Sequence, residues 1–340
     1  GGLHLHRWCQ WLSGYHRAGV YDGEDAKRSD YAASLAPFLC REVLLPHLRA
    51  GGPSLILAEE WQTAHAVLHL HGLLQREGLL SQVQILWNAN NTFGFQQVPW
   101  EPLARAAVIT TVSRYMKHRM QEFAVEAFVI PNGLSPVAFD RPDRAVVTGL
   151  RARFRDRTLL AKVARWDPHK RWLETVDAVC AMKRERWRSL LLARGGSEPH
   201  RAEVLRVAAS RGLTVVDRTW TRAGARGLFD ALEDTQQADV VNLRSFIDPE
   251  ARSALFRSAD AVLANSGHEP FGLVGLEVMA SGGVACTGCS GEDYAVPGQN
   301  AIVLQTGDPR ELMALFGRVR AHPSEARALR RAGRATARRY

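Results

Sequence analysis

Short apolar runs that alternate with segments of helical periodicity restrict the fold of this chain more than any other feature. Each run predicts a strand buried in a parallel sheet. Strands that alternate with helices predict an α/β fold with parallel sheets and helices on both faces. The predicted strands cover residues 54–58, 83–87, 107–112, 128–130, 159–163, 190–193, 215–216, 240–243, 261–265, 284–287 and 301–304.

The length of 340 residues allows two domains of ordinary size. We expect a Rossmann-like N-terminal domain over residues 1–138 and a second Rossmann-like domain over residues 157–325. Residues 139–156 are charged, contain proline and lack periodicity, so they predict a linker. Residues 326–340 predict an Arg-rich helix. Two such domains would form a cleft, with sites at the carboxyl ends of the strands.

The composition is that of a globular protein, with 46% hydrophobic and 23% charged residues. A net charge of +9 is compatible with nucleic acid, a membrane surface or phosphorylated small molecules as partners. Because the arginines are spread along the chain, solvated helix faces explain this charge better than a nucleic-acid site. We expect no nucleic-acid partner and no transmembrane segment, and we leave peripheral membrane contact open.

Cysteine and histidine patterns argue against a metal site. Five scattered cysteines indicate a reducing compartment, so we expect a cytoplasmic protein. Cys286 and Cys289 form a Cys-x-x-Cys pair without a second pair, which disfavours a zinc site. His65 and His69 have a spacing that can bind metal, but helix packing explains them better.

The stretch 267–283 is the strongest candidate site. It follows the predicted strand 261–265 and opens a helix whose first turn is glycine-rich. Backbone N–H groups at such a helix start can bind an anion. Glu269 in the loop and Glu277 inside the helix can hold sugar hydroxyls. An ordinary strand–helix turn with an N-terminal acid explains the same spacing, so other residues must decide.

A short basic cluster follows the predicted strand 159–163. If this strand neighbours strand 261–265, the charges of Arg165 and Lys170 face the helix start near Gly272. A diphosphate between them would contact cations on one side and backbone N–H groups on the other. Each cation alone would be an ordinary surface residue. Together with the two carboxylates of the same domain, they favour a functional site.

These motifs resemble those of a known enzyme family. The motifs Val-Ala-Arg-x4-Lys over residues 163–170, Glu269-x7-Glu277, and Ile-Pro-Asn-Gly over residues 130–133 are similar to those of the retaining GT-B glycosyltransferases. Within this group, family four and the glycogen and starch synthases are most similar. The resemblance covers roughly residues 54–305 and implies the GT-B fold, in which two Rossmann-like domains face each other across a cleft.

The resemblance implies transfer of a hexose, such as glucose, from a nucleoside-diphosphate sugar with retention of anomeric configuration. The donor would be ADP-, UDP- or GDP-linked, and the acceptor a sugar, an oligosaccharide or another hydroxyl compound. No metal or other cofactor would be needed. Catalysis would come mainly from electrostatic stabilisation of the leaving group and from positioning by cleft closure.

The resemblance also implies roles for single residues. Arg165 and Lys170 would hold the diphosphate, and Glu269 would contact the transferred sugar. These three residues and Glu59 form the predicted catalytic set. Glu277 would bind the donor ribose. The predicted donor-binding set is Glu277, Phe271, Gly272, Leu273, Leu243 and Asn90.

The sequence departs from the family at three places. Ala-Glu-Glu-Trp over residues 58–61 replaces a histidine-containing segment, so either Glu59 takes over its sugar contact or the site is impaired. Residues 1–25 do not show the opening strand and glycine-rich loop, so we expect that the true N-terminus is missing. The loop 286–292, preceded by two glycines instead of proline, also differs, and its specificity is open.

Two other functions fit parts of the sequence. A nucleotide-sugar-binding protein with little or no transfer fits Glu59 at the histidine position and the missing N-terminal loop. A basic nucleic-acid-binding protein rests only on the charge. The motifs of the second domain favour the transferase.

Overall fold

The computed structural model describes residues 2–18 and 22–340. The chain divides into two units, Gly1–Pro131 and Asn132–Tyr340, and each contains a parallel β-sheet with flanking helices. The predicted α/β fold with parallel sheets is therefore confirmed. The opening residues that the structure describes, 2–18 and 22–25, contain no strand, while residues 1 and 19–21 lie outside the description.

The first unit has a sheet with the strand order β1-β2-β3-β4. Its strands are β1 (Ser54–Glu59), β2 (Val83–Ala89), β3 (Val108–Thr111) and β4 (Phe128–Val129). Its helices are α1 (Glu24–Asp30), α2 (Ala36–Phe38), α3 (Leu45–Arg49), α4 (Ala64–Arg76), α5 (Trp100–Ala106) and α6 (Arg114–Gln121). π-helical turns at Tyr31–Leu35 and Leu39–Leu44 join α1, α2 and α3.

The two faces of the first sheet are covered differently. On one face, Ile56 of β1 packs against a cluster that includes Leu70 and Leu74 of α4. On the other face, Leu55 and Leu57 are 62% and 69% exposed. The alternation along β1 follows from the strand geometry, since successive side chains point to opposite faces.

The second unit has a sheet with the strand order β11-β10-β9-β5-β6-β8-β7. Its strands are β5 (Thr158–Val163), β6 (Ser189–Arg194), β7 (Val215–Arg218), β8 (Val240–Leu243), β9 (Ala261–Ala264), β10 (Ala285–Thr287) and β11 (Ile302–Val303). Its helices are α7 (Arg144–Arg153), α8 (Trp172–Arg184), α9 (His200–Ser210), α10 (Gly224–Ala231), α11 (Pro249–Ser258), α12 (Leu273–Ser281), α13 (Pro309–Ala321) and α14 (Pro323–Ala337).

The second sheet is buried along most of its strands. Leu160 and Leu191 pack into a core with Trp172 of α8 and Phe316 of α13. Helices α11 and α12 also pack on the sheet. The buried strands β5, β6 and β8 are therefore mainly apolar, as expected for a parallel sheet between helices.

The predicted linker 139–156 differs from the structure. The boundary between the units lies after Pro131, and α7 is part of the second unit, where it packs on α10 and α11. Asp143 caps α7 by accepting a hydrogen bond from the Ala145 backbone N–H at 2.7 Å. The helical spacing of the buried Val146 and Leu150 was obscured by the surrounding charges. The C-terminal helix also begins earlier than predicted, since α14 starts at Pro323.

Candidate active site

The loop between β9 and α12 forms the centre of the candidate site. Gly272 precedes α12 with φ 75°, and no side chain within residues 2–18 and 22–340 caps this helix start. A Cβ atom at Gly272 would lie 2.6 Å from Cγ of Glu292, so only glycine fits here without rearrangement. The backbone N–H groups of the first turn of α12 therefore lack a side-chain cap from the described residues, as expected for an anion site.

Lys170 and Glu269 meet in an ion pair, although they come from separate motifs. Strand β5 lies beside β9, with Leu160 opposite Ala261, so the loops that follow the two strands are neighbours. Both side chains are mostly buried, at 19% and 18% exposure. The structure therefore brings together the predicted cation and the predicted carboxylate at the carboxyl ends of adjacent strands.

The turn that carries Lys170 is fixed by local contacts. Asp167 accepts a hydrogen bond from the His169 backbone N–H at 2.8 Å. The carbonyl of His169 in turn accepts from the Gly267 backbone N–H at 2.8 Å, which ties this turn to the β9–α12 loop. Arg165 lies upstream with an exposed side chain, and its carbonyl accepts from the Trp172 indole at 2.7 Å. Arg165 therefore lies in the same loop as Lys170 but takes no part in the Lys170–Glu269 ion pair.

Glu277 forms an ion pair with Arg252 of α11, with 3.1 Å between Oε1 and Nη2. Burial raises the pKa of Glu277, and the charge of Arg252 opposes that rise. The sequence analysis did not single out Arg252. The sequence contained only an indirect indication of Arg252: in parallel α/β sheets the helix before a strand commonly packs beside the helix after it, as α11 and α12 do around β9.

A third carboxyl group, Glu292, lies under Gly272 and was also missed as a site residue. Its side chain is 5% exposed, and Oε2 accepts from the Ser290 backbone N–H at 3.1 Å. Among the described residues, Oε1 has no hydrogen-bond partner. Burial and the neighbouring charge of Glu269 raise the pKa of Glu292 to about 7. The signal in the sequence was its place after β10, the strand next to β9.

The β10–β11 loop also holds the β9–α12 loop in place. The Tyr294 hydroxyl donates to the Gly272 carbonyl at 2.5 Å, and Ser290 Oγ accepts from the Glu269 backbone N–H at 2.9 Å. Phe271 is buried against the Tyr294 ring, with 6.0 Å between the ring centroids. These contacts define the backbone that Phe271, Gly272 and Leu273 would present to a ligand.

Lys162 is an unexpected buried cation beneath these loops. Its Nζ donates to Asn265 Oδ1 at 2.7 Å and to the Leu263 carbonyl at 3.3 Å. Burial lowers the pKa of Lys162 to about 7. Because Asn265 directly follows β9, this contact fixes the start of the β9–α12 loop. The sequence analysis included Lys162 in a buried strand without assigning it a role.

The other predicted residues lie apart from this cluster. Leu243 is buried at the end of β8, which is separated from β5 by β6. Glu59 is an exposed residue at the end of β1 in the first unit. Asn90 follows β2 in the same unit, and its backbone N–H donates to Glu60 Oε1 at 2.9 Å. The roles of Leu243, Glu59 and Asn90 remain predictions.

Glu60, next to Glu59, is the carboxylate that holds the loop after β2. It has φ 70°, a rare conformation for a non-glycine residue, and it also accepts from Asn91 Nδ2 at 2.8 Å. Burial raises the pKa of Glu60, and the hydrogen bond from Asn90 opposes that rise. Nothing in the residue pattern distinguished Glu60 from Glu59, because the difference lies in the backbone conformation.

Metal-ligating side chains do not cluster in the part of the chain that the structure describes. His69 Nδ1 contacts the Ala32 carbonyl at 2.9 Å, in agreement with a packing role for this histidine. Across residues 2–18 and 22–340, no helix has the length and apolar character needed to cross a membrane. The expected independence from metals and the expected cytoplasmic location remain predictions.

The sequence of the second unit matches a known domain family. Residues 223–336 match the family described as Glycosyl transferases group 1. Residues 223–336 are thus similar to a glycosyltransferase domain. The match includes β9, α12 and the loop between them, but not Lys170. No curated protein matches the chain in sequence.

Several solved structures share the fold. Sucrose-phosphate synthase from Thermosynechococcus elongatus has 20% identity and a TM-score of 0.60, over 92% of this chain and 74% of the synthase chain. A UDP-forming trehalose-phosphate synthase from Burkholderia vietnamiensis has 17% identity and a TM-score of 0.66, over 95% and 75%. Anabaena HepE, solved with UDP and glucose, has 15% identity and a TM-score of 0.61, over 94% and 79%. These likenesses show the fold, and the match of residues 223–336 to the glycosyl transferases indicates a glycosyltransferase, as the sequence predicts.

Proposed function

We propose that the protein is a retaining glycosyltransferase that moves a hexose from a nucleoside-diphosphate sugar to a carbohydrate or other hydroxyl acceptor without a metal ion. The observation that carries this proposal is the Lys170–Glu269 pair beside the start of α12. The cation, the carboxylate and the backbone N–H groups match the three parts of a sugar diphosphate: its charge, its hydroxyls and its phosphate oxygens.

Each group would have a distinct task. The N–H groups after Gly272 and the ammonium of Lys170 would stabilise the charge that develops on the diphosphate as the sugar leaves. To do so, Lys170 would exchange part of its contact with Glu269 for the phosphate, and Glu269 would then be available to sugar hydroxyls. Glu277, held by Arg252, would accept hydrogen bonds from the ribose. Arg165 would add a second cation from the same loop.

UDP-glucose is the first donor to test, because two of the similar structures are described as UDP-forming or as containing UDP. ADP- and GDP-glucose provide the comparison. Release of UDP from UDP-glucose is a suitable readout, since slow hydrolysis by water needs no knowledge of the acceptor. Once an acceptor is found, proton NMR of the product shows whether the anomeric configuration is retained.

Lys170→Ala and Glu277→Ala should each lower the rate of UDP release at least about a hundredfold, in line with the loss of a charge-stabilising contact. Lys183→Ala is a matched control, because Lys183 also pairs with a carboxylate, Asp239, at 2.7 Å. Near-normal release by either site variant would refute the proposed site. Donor binding without any release in the wild type would favour a nucleotide-sugar-binding protein.

A further inference from the structure

A cavity of about 490 Å³ lies in the second unit, at the edge of the sheet opposite the candidate active site. Leu159 at the start of β5 and Asp260 just before β9 contribute to its wall, whereas the active-site loops follow the ends of the same strands. Helices α7, α13 and α14 form the remaining sides. The cavity is therefore separate from the site proposed above.

The cavity wall is strongly cationic. Asp260 is the one acidic residue among the described residues that line it, and its Oδ2 already accepts from the Leu159 backbone N–H at 2.8 Å. Phe154 and Phe316 provide an apolar part of the lining. The basic residues of the wall, named here the arginine cavity, are Arg151, Arg155, Arg157, Arg320, Arg327 and Arg330.

Arg330 has donor capacity that the protein does not use. Its Nη2 donates to the Ala259 carbonyl at 3.1 Å. Its Nε is buried and, among the described residues, has no hydrogen-bond acceptor. Burial, together with the charges of Arg151 and Arg257, lowers the pKa of Arg330 to about 10, and the charge of Asp260 opposes that fall. A buried donor without a partner and several cations at close range both cost free energy, and an anion would remove both costs.

Arg157 differs from the other arginines of the cavity. Its guanidinium donates to the carbonyls of Ser189 and Ala238, both at 2.6 Å, so it mainly holds the chain in place. Arg320 and Arg327 have exposed side chains at the rim. The cavity thus combines one half-buried arginine, whose buried Nε is an unused donor, with exposed cations at its entrance.

We propose that the arginine cavity binds a small molecule that carries a phosphate monoester. Guanidinium groups bind phosphate oxygens through paired hydrogen bonds, so several arginines around one cavity suit a phosphate group. The volume lies in the range typical of small-molecule sites, and a concave site of this size suits a single phosphate group better than an extended polymer. The apolar lining would contact the organic part of the molecule.

The test uses titration calorimetry of the full chain with glycerol 3-phosphate and with inorganic phosphate, at constant ionic strength. Arg330→Gln and the double variant Arg320→Gln/Arg327→Gln should each weaken glycerol 3-phosphate binding at least tenfold. The double variant changes only exposed side chains, so it tests the proposal even if Arg330→Gln unfolds. Inorganic phosphate should bind more weakly than glycerol 3-phosphate.

Two control variants distinguish binding in the arginine cavity from binding elsewhere on this cationic protein. Arg206→Gln removes an exposed arginine of α9 and should leave glycerol 3-phosphate binding unchanged, as should Lys170→Ala in the candidate active site. Equal binding by the wild type and both cavity variants would overturn the proposal. A loss seen only in Lys170→Ala would also overturn it, because it would place the phosphate in the active site.

Discussion

Strands β5, β6 and β8 of the second unit are buried along nearly their whole length, whereas β1 of the first unit alternates between exposed and half-buried residues. The loops that follow these strands differ in the same way. In the second unit, Lys170 and Glu269 hold each other in mostly buried positions. In the first unit, Glu59 is exposed and its neighbour Glu60 makes the structural contacts.

This difference shows where the candidate site is already organised. Contacts within the second unit fix the backbone at Gly272, the ion pair beside it and the Glu277 carboxylate. Such preorganised groups contribute most to transition-state stabilisation. Glu59 in the first unit is exposed and lies outside the hydrogen bonds that Glu60 makes. Substitutions that disturb these contacts in the second unit should therefore affect binding and stability together, and substitutions at Glu59 should affect at most one of them.

The largest effect is expected for Gly272→Ala. Alanine would be held in the left-handed conformation that Gly272 already has, which costs about 1–2 kcal/mol, and its Cβ would collide with Glu292, adding about 1–3 kcal/mol of overpacking. Gly298→Ala is the matched control, because Gly298 has φ 69° but open space around it. Thermal unfolding should show a clearly larger loss for Gly272→Ala, and donor binding should fall only in that variant. Equal losses would show that the Glu292 contact does not matter.

A pH effect is expected for the buried Glu292. Since its pKa rises from an ordinary 4.5 to about 7 on folding, the folded state binds more protons between these values. Its contribution to stability is therefore present below pH 4.5 and is lost as the pH rises to about 7. Each pKa unit corresponds to about 1.4 kcal/mol, so the rise of about 2.5 units amounts to about 3.5 kcal/mol.

Glu292→Gln tests this effect, because the amide stays neutral at every pH. The fall in thermal midpoint between pH 5 and pH 8 should be smaller in Glu292→Gln than in the wild type. Glu185→Gln removes an exposed carboxylate of the same unit and should follow the wild type. Parallel curves for Glu292→Gln and the wild type would contradict the buried, protonated carboxyl group.

A smaller difference in stability is expected between variants of the neighbouring Glu59 and Glu60. Glu60→Ala removes the acceptors of the Asn90 N–H and the Asn91 amide, which should destabilise the unit by about 1–3 kcal/mol. Glu59→Ala changes an exposed side chain and should alter stability by less than about 0.5 kcal/mol. If Glu59 contacts the transferred sugar, Glu59→Ala will lower turnover without shifting the thermal midpoint. Unchanged turnover would remove Glu59 from the catalytic set.

Local sequence patterns predicted the parallel sheets and the strand positions, because buried strands require continuous apolar runs. Serine is a residue type favoured at helix starts, and Ser113 caps α6 with its Oγ, which accepts from the Met116 backbone N–H at 3.1 Å. The patterns failed for α7, whose short apolar stripe is surrounded by arginines. They could not identify Arg252 or Glu292 as site residues, because those contacts depend on tertiary packing between α11, α12 and the β10–β11 loop.

The central claim is that the second unit binds the donor diphosphate between Lys170 and the start of α12. Titration calorimetry of the full chain with UDP, ADP and GDP tests it most directly, with Lys170→Ala compared with the control Lys183→Ala. We expect one of the three nucleotides to bind the wild type and the control with equal affinity, and to bind Lys170→Ala at least tenfold more weakly. Equal affinity for Lys170→Ala and the wild type would contradict it.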